Sequence, residues 1–398
     1  MKSGWQTKRL GDVAEISAGN SAPQADSLFK DGTYPFFRTS DAGQIRFGDI
    51  YESADYLNEE GVQGLRRYPK GTILFPKSGA STFLNHRVML GVDGCVSSHL
   101  ATIVADETQM KPRFLLYFLS TIAAQDLVQD HAYPSLNLPT IAGISIQAPP
   151  LPEQRRIVGI LDEAFANIAV AKANAEKNLN NARALFESHL QSVLQSKKWK
   201  WKTLGELCNG VEYGSSAKSK KEGKVPVLRM GNIQDGQLDW ENLVYTDDKE
   251  EIQKYLLKHN DVLFNRTNSP ELVGKTATYK NEMPAIFAGY LIRVHRKEEL
   301  LDADFLNYFL NSQIAIDYGK TVVISSVNQA NINGAKLKGY PIPAPSISEQ
   351  RTIVKELDTL REETRRLESI YQHKLSALEA LKKSLLNQAF KGELTMDN

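Results

Sequence analysis

Two long stretches of the chain carry apolar residues at helical spacing. In the second, Ile353, Leu357, Leu360, Thr364, Leu367, Tyr371, Lys374, Leu378, Leu381 and Leu385 follow in alternating steps of four and three. Eight of these ten are apolar, the a/d seam of a helix that packs on another helix. The positions 196 residues earlier are Ile157, Leu161, Ala164, Ile168, Ala171, Ala175, Asn178, Ala182, Leu185 and His189. Four are alanine, so a partner helix can approach closely. The spacing predicts a helix over 153–194, about 63 Å long at ~1.5 Å per residue, and a second running to about residue 390. One apolar stripe does not stabilise such a helix in isolation. The simplest partner for each is its own copy, running antiparallel.

Each helix opens on nearly the same words. Residues 149–158 read Pro-Pro-Leu-Pro-Glu-Gln-Arg-Arg-Ile-Val, and residues 345–354 read Pro-Ser-Ile-Ser-Glu-Gln-Arg-Thr-Ile-Val. The prolines mark where a preceding domain gives way to helix. Upstream, further segments recur in the same order. Trp5 to Val13 is answered by Trp199 to Leu207, and the run ending in Arg38 by the run ending in Arg229. Phe75-Pro76-Lys77-Ser78 is answered by Phe264-Asn265-Arg266-Thr267, and Phe114 to Leu119 by Phe305 to Leu310. Ser135-Leu136-Asn137 pairs in turn with Ser326-Val327-Asn328. Matches in constant order at near-constant offset indicate a duplicated unit. Within each unit the apolar runs at 73–75, 101–104, 262–264 and 291–294 read as strands. Residues 111–120 and 303–311 read as short helices, and 17–27, 77–85, 214–223 and 265–275 as polar loops. The fold class is therefore α+β: two copies of a mixed α/β domain joined by two long helices in an antiparallel coiled coil, with pseudo-two-fold character. The domain boundaries fall at 1–150, 151–196, 197–346 and 347–398.

Composition narrows the function. No apolar run is long enough for a transmembrane helix, and the first residues lack a signal peptide's apolar core. The two cysteines, Cys95 and Cys208, lie in no metal-binding spacing. A reducing, cytoplasmic setting is expected. No P-loop, G-x-S-x-G or metal-spaced His/Cys set is present, so catalysis by this chain is not expected. The net charge of +1 argues against a non-specific polyanion binder. It is unevenly spread: residues 1–150 hold 13 basic against 15 acidic side chains, and residues 197–346 hold 21 against 18.

Two variable α/β domains, each followed by a Pro-rich Glu-Gln-x-x-Ile-Val junction and a long helix, resemble the specificity subunit of type I restriction–modification systems. The ending Leu-Leu-Asn-Gln-Ala-Phe-Lys-Gly-Glu-Leu at 385–394 is similar to that family's ending. The likeness covers the whole chain, although the second junction has Ser-Ile-Ser in place of Pro-Leu-Pro and the first helix lacks the tail. The resemblance implies that 1–150 and 197–346 are target recognition domains, each reading one half of a bipartite, asymmetric double-stranded DNA site. The helices would set the gap and dock two methyltransferase subunits, and restriction subunits could join. It implies no cofactor in this chain: S-adenosylmethionine would belong to the methyltransferase, ATP and Mg to the restriction partner.

Base reading needs side chains that donate or accept at base edges, carried on loops. The repeated strand-then-loop segment supplies the first candidates: Lys77, Ser78 and Ser81, with His86 and Arg87 beyond them, and Arg266, Thr267, Asn268 and Ser269, with Lys275. The alternative is a solvated hairpin turn. Arg38 and Arg229 either contact phosphate or pair with a carboxylate. Lys218, Lys220 and Lys221 either contact phosphate or form a solvated face. Ser135, Asn137, Ser326 and Asn328 are read as turn and capping residues ahead of DNA contacts. Trp5 and Trp199 read as core residues. At the junctions, Glu153, Gln154, Arg155, Glu349, Gln350 and Arg351 either cap the helix or dock a partner. A coiled-coil scaffold whose domains bind no DNA is the rival reading, and an enzyme with an unfamiliar site the third. The unequal loop chemistry of two otherwise matching units favours two different half-sites.

Overall fold

The computed structural model describes residues 4–394, apart from 129, 131, 133, 196–198, 270, 271, 327 and 328. The chain forms two compact units, Met1–Asn174 with Lys374–Asn398, and Ala175–His373. Each takes one mixed domain and a segment of both long helices. The units thus cut across the helices, where the boundaries expected from the chain follow its order.

In the first unit the chain enters on strand Gln6–Arg9, which pairs antiparallel with Ser145–Ala148, the strand just before the long helix. The main sheet runs Ala14–Ala18, Leu100–Ala105, Ile73–Pro76, Arg87–Leu90, Phe47–Ile50. Only the last pair is parallel. The central strand Ile73–Pro76 is buried throughout. Successive side chains point to opposite faces, so Ile73 and Phe75 join the core under helix Pro112–Ser120 while Leu74 joins a second core with Phe37, Val88 and Leu100. A small sheet, Asp55–Leu57, Tyr34–Phe37, Cys95–Val96, completes the domain.

The second unit repeats this plan. Its entry strand Trp201–Thr203 pairs with Pro341–Pro343. Its main sheet runs Cys208–Tyr213, Leu291–Arg296, Val262–Asn265, Thr276–Thr278, and its small sheet Val244–Thr246, Val225–Leu228, Ile286–Phe287. Helix Ala303–Leu310 covers the sheet, and Asp302 caps it by accepting from the Asp304 and Phe305 amides. The four expected strands and two expected short helices are all present, within one or two residues of their expected bounds.

The long helices are Leu151–Leu194 and Ile347–Lys391. In the first unit Ile157 and Leu161 share a core with Leu386 and Ala389, and Lys172 pairs with Glu379 at 2.8 Å. In the second, Phe186, Leu190 and Leu194 share a core with Ile353 and Leu357, and Arg183 pairs with Glu368 at 3.1 Å. In both units, early positions of one helix meet late positions of the other, so the strands of the pair run antiparallel. The expected seam needs correction. Asn178, Leu185, His189, Leu367, Lys374 and Leu381 are exposed. The other seven positions of each expected seam are buried or half-buried, among them Ile157 and Ile168, and Ile353 and Thr364; Leu179 and Leu190, and Leu375 and Leu386, continue these inward stripes in steps of eleven. Eleven residues in three turns is about 3.67 per turn, near the 3.6 of a straight helix, whereas a strict heptad drifts by ~20° per repeat. Among the described residues, no helix is long and apolar enough to cross a membrane.

Candidate nucleic-acid interface and helix junctions

The repeated Glu-Gln of each junction builds an internal latch. Gln154 is fully buried. Its Oε1 accepts the Lys111 amide at 2.8 Å, and its Nε2 donates to the carbonyls of Gln109 at 2.9 Å and Pro149 at 2.8 Å. Gln350, equally buried, accepts the Asp302 amide at 2.8 Å and donates to Leu300 at 2.8 Å and Pro345 at 2.9 Å. A buried amide with three partners ties the helix start to the residue that opens the short domain helix. The docking role considered for Gln154 and Gln350 is therefore corrected, because neither side chain reaches the surface.

Their neighbours divide the remaining tasks. Glu349 accepts the Ser346 amide at 2.9 Å and its hydroxyl at 2.7 Å, while the Glu349 amide returns to that hydroxyl, as in a capping box. Glu153 grips Arg156 with two bonds of 2.7 and 2.8 Å, and Arg156 also donates to the Leu394 carbonyl at 2.6 Å. Arg155 and Arg351 are exposed at matching places.

Two helical turns on, a second repeated contact reinforces each latch. The Tyr117 hydroxyl donates to Asp162, and the Tyr308 hydroxyl to Asp358 at 2.6 Å. Burial first, then the hydrogen bond to the carboxylate, pushes both phenols well above their usual range. Each domain is thus fixed to its own helix at two points.

The loops differ where the joints agree. In the first unit the Lys77 carbonyl accepts the Leu136 amide at 2.8 Å, and Ser78 bridges Ser135. In the second the Arg266 carbonyl accepts the Ile332 amide at 2.9 Å. Asn137 caps helix Leu138–Ala142, and Asn333 caps Gly334–Lys338. The structural copy of Asn137 is therefore Asn333 rather than Asn328; residues 327 and 328 lie outside the described residues. Trp5 and Trp199 are partly buried against the cores of their units.

Several candidates are committed inside the protein. Arg87 has no exposed surface; its guanidinium lies 3.4 Å from the Phe75 ring centre and donates to the His86 and Ile122 carbonyls. Burial lowers its pKa to about 9. It cannot touch DNA, and its assignment is corrected. Thr267 is also buried, accepting from Asn331 Nδ2 at 2.7 Å, and is withdrawn likewise. Ser81 closes a turn on the Ser78 carbonyl at 2.9 Å, and the Ser269 amide donates to Asn268 Oδ1 at 2.9 Å. Burial, then Arg46 and Arg87, depress the His86 pKa, leaving a neutral ring at neutral pH. Arg38 is paired with Asp55 and lies over the Phe36 ring, whereas Arg229 meets only the Asn242 carbonyl at 2.9 Å and no carboxylate among the described residues. Lys77 is half-buried and, among the described residues, pairs with no acid. Lys218 and Lys221 are exposed, while Lys220 pairs with Asp247 at 3.1 Å. Arg266 lies over the Tyr213 ring at 4.8 Å and donates to Gly289.

Arg229, Asn268 and Lys275 converge. With Met230, Gly231, Ile233, Gln234 and Leu272 they line a cleft of about 400 Å³ in the second unit. Met230 and Gln234 escaped sequence reasoning because they sit beside or on hairpin Ile233–Gln234/Gln237–Leu238, which has no counterpart among the described residues of the first unit, and Leu272 escaped it as an apolar residue in a stretch read as a polar loop. There, helix Thr39–Ile45 fills the corresponding stretch of chain and lies against His86, whose ring nitrogen is 3.8 Å from where a Cβ on Gly43 would sit.

This architecture of a duplicated domain on paired helices is that of solved specificity proteins. A chain of a type I restriction–modification system, studied for its complex assembly and conformational transition, superposes with a TM-score of 0.77 at 19% identity, covering 99% of both chains. The HsdS subunit from Thermoanaerobacter tengcongensis gives 0.63 at 20% identity, covering 99% of this chain and 98% of its own. At these identities the likeness is one of fold. The chain belongs to the family of the type I restriction modification DNA specificity domain, whose model matches it twice, over residues 2–181 and 196–375. It is 29% identical to the StySPI specificity subunit of Salmonella potsdam, over 99% of this chain and 90% of that protein. Membership in a family of DNA specificity domains disfavours the scaffold reading.

Proposed function

We propose that the chain is the DNA-recognition subunit of a type I restriction–modification complex, with each domain reading one half of a bipartite, asymmetric duplex site. The observation that carries this reading is the contrast between repeated joints and unrepeated loops. The latches and tyrosine clamps recur residue for residue, while the loop cations recur only in part and are paired differently: Arg38 meets Asp55 where Arg229 meets no carboxylate among the described residues, and Lys218 and Lys221 answer a neutral loop in the first unit. A duplicated frame with unequal loop chemistry suits two different half-sites held at a fixed gap.

On this reading the chain performs no chemistry. Two methyltransferase subunits dock on the helices, with Arg155 and Arg351 as exposed contact residues, and hold S-adenosylmethionine to methylate adenine. Restriction subunits, where present, hold ATP and Mg and cleave unmodified DNA. The complex works in the cytoplasm. Lys77, Lys218, Lys221 and Arg266 supply phosphate or base contacts beside the cleft residues. The test is a methylome of cells with and without the intact gene. A two-part adenine-methylated motif that disappears on deletion is expected; a methylome unchanged by deletion would reject the proposal.

A further inference from the structure

Among the described residues, the side chains that line the cleft of the second unit present mainly donors. Among the described residues, Arg229 uses Nη2 on the Asn242 carbonyl and leaves Nε and Nη1 without an acceptor. The Asn268 oxygen accepts the Ser269 amide, and its NH₂ has no acceptor among the described residues. Lys275 Nζ meets the neutral Gln234 Oε1, at 3.3 Å, and no carboxylate among the described residues. Gln234 itself is used at both ends, since its Nε2 donates to the Gly231 carbonyl at 3.0 Å. The hairpin that carries it is braced within the same unit by Asn307 Nδ2 on the Gly236 carbonyl at 2.8 Å and Arg365 on Gln237 at 3.2 Å. Exposed Met230 and Leu272 form apolar rims.

An occupant of this cleft must therefore be rich in acceptors and have an apolar body. Guanine presents N7 and O6 on its major-groove edge, and Lys or Arg is its usual partner. A phosphate has the acceptors but no apolar face for Met230 and Leu272. We infer that this cleft reads a guanine in the second half-site, with Lys275 and Arg229 as the reading residues and Gln234 as the positioning residue that aims Lys275. The inference rests on the DNA-recognition function proposed above and goes further by naming the base and the residues.

The test uses the full chain assembled with its methyltransferase partner and a library of randomised duplexes, sequenced after selection. Wild type should select a two-part site. Lys275→Met should weaken one guanine preference in one half-site, on the order of tenfold or more. Gln234→Glu, which places a carboxylate beside Nζ, should weaken the same position. The other half-site must persist in both variants and serves as the control for folding. A uniform loss of binding, with a salt slope lower by about one and no positional change, would mean a phosphate contact and overturn the inference. Unchanged selection would overturn it too. A wild type that selects no two-part site would remove the underlying function itself, and the same data set separates that result from failure of the cleft alone.

Discussion

The two recognition domains agree in how they are held and disagree in what they present. Between the paired strands of its small sheet the first domain places helix Thr39–Ile45 and strand Phe47–Ile50. The second places a turn at Met230–Asn232 and a short hairpin. The first insert lies against a neutral His86, and its Arg38 is neutralised by Asp55. The second leaves Arg229 and Lys275 without carboxylate partners among the described residues. Both domains nevertheless rest on Gln154 or Gln350 and on Tyr117 or Tyr308. The lesson is that burial fixes the joint, because three backbone groups would be stranded without that glutamine, whereas an insert is free to vary as long as its own ends meet.

The comparison is tested most severely in the helices. Leu190→Ala removes a side chain 3% exposed and should cost about 3–4 kcal/mol, whereas Leu185→Ala, 51% exposed, should stay within ~0.5 kcal/mol. Denaturant melts that rank them the other way would restore the heptad seam. A matched insertion in both helices sharpens this: eleven residues in each should preserve folding and widen the gap in the methylated motif, while seven should disturb the pairing.

Next come the latches. Gln154→Ala and Gln350→Ala should each cost about 2–3 kcal/mol by leaving buried backbone groups unpaired. Unequal losses in urea unfolding would show that the two joints are not equivalent. Tyr117→Phe and Tyr308→Phe should each cost about 1 kcal/mol. Their phenols titrate above the ordinary 10.0 in the native state. The unfolded chain therefore loses these protons first, and the stability they contribute is complete below pH 10 and falls as pH rises toward the native values. Tyr308→Phe should flatten that alkaline limb in a pH series of melts. The smallest effect belongs to the exposed lysines. Lys218→Ala with Lys221→Ala should leave the motif intact and lower the salt slope of binding by up to about two; an altered motif would make them base readers.

The duplication was legible because the joint is written in local words, Glu-Gln-x-x-Ile-Val, beside prolines that stop a helix. Main strands and short helices followed from apolar runs. What the words concealed was direction. Gln154 looks like a polar surface residue until its partners appear at Gln109 and Lys111, more than forty positions away. Arg87 and Lys77 look alike in sequence, yet strand alternation and a facing phenylalanine bury one of them. Leu185, Leu367 and Leu381 fit a seven-residue seam and still face water, since apolar identity does not settle which of two close periods a helix follows. The cleft depends on an insert with no repeated counterpart, so no internal match could reveal it.

Each domain enters and leaves through neighbouring strands, Gln6–Arg9 beside Ser145–Ala148 and Trp201–Thr203 beside Pro341–Pro343. An exchange of coding sequence with one end in each strand of a ribbon replaces everything between them and leaves the helix start unaltered. On the proposed function, a whole domain exchanged in this way carries its reading residues with it, without the path of altering one base contact at a time.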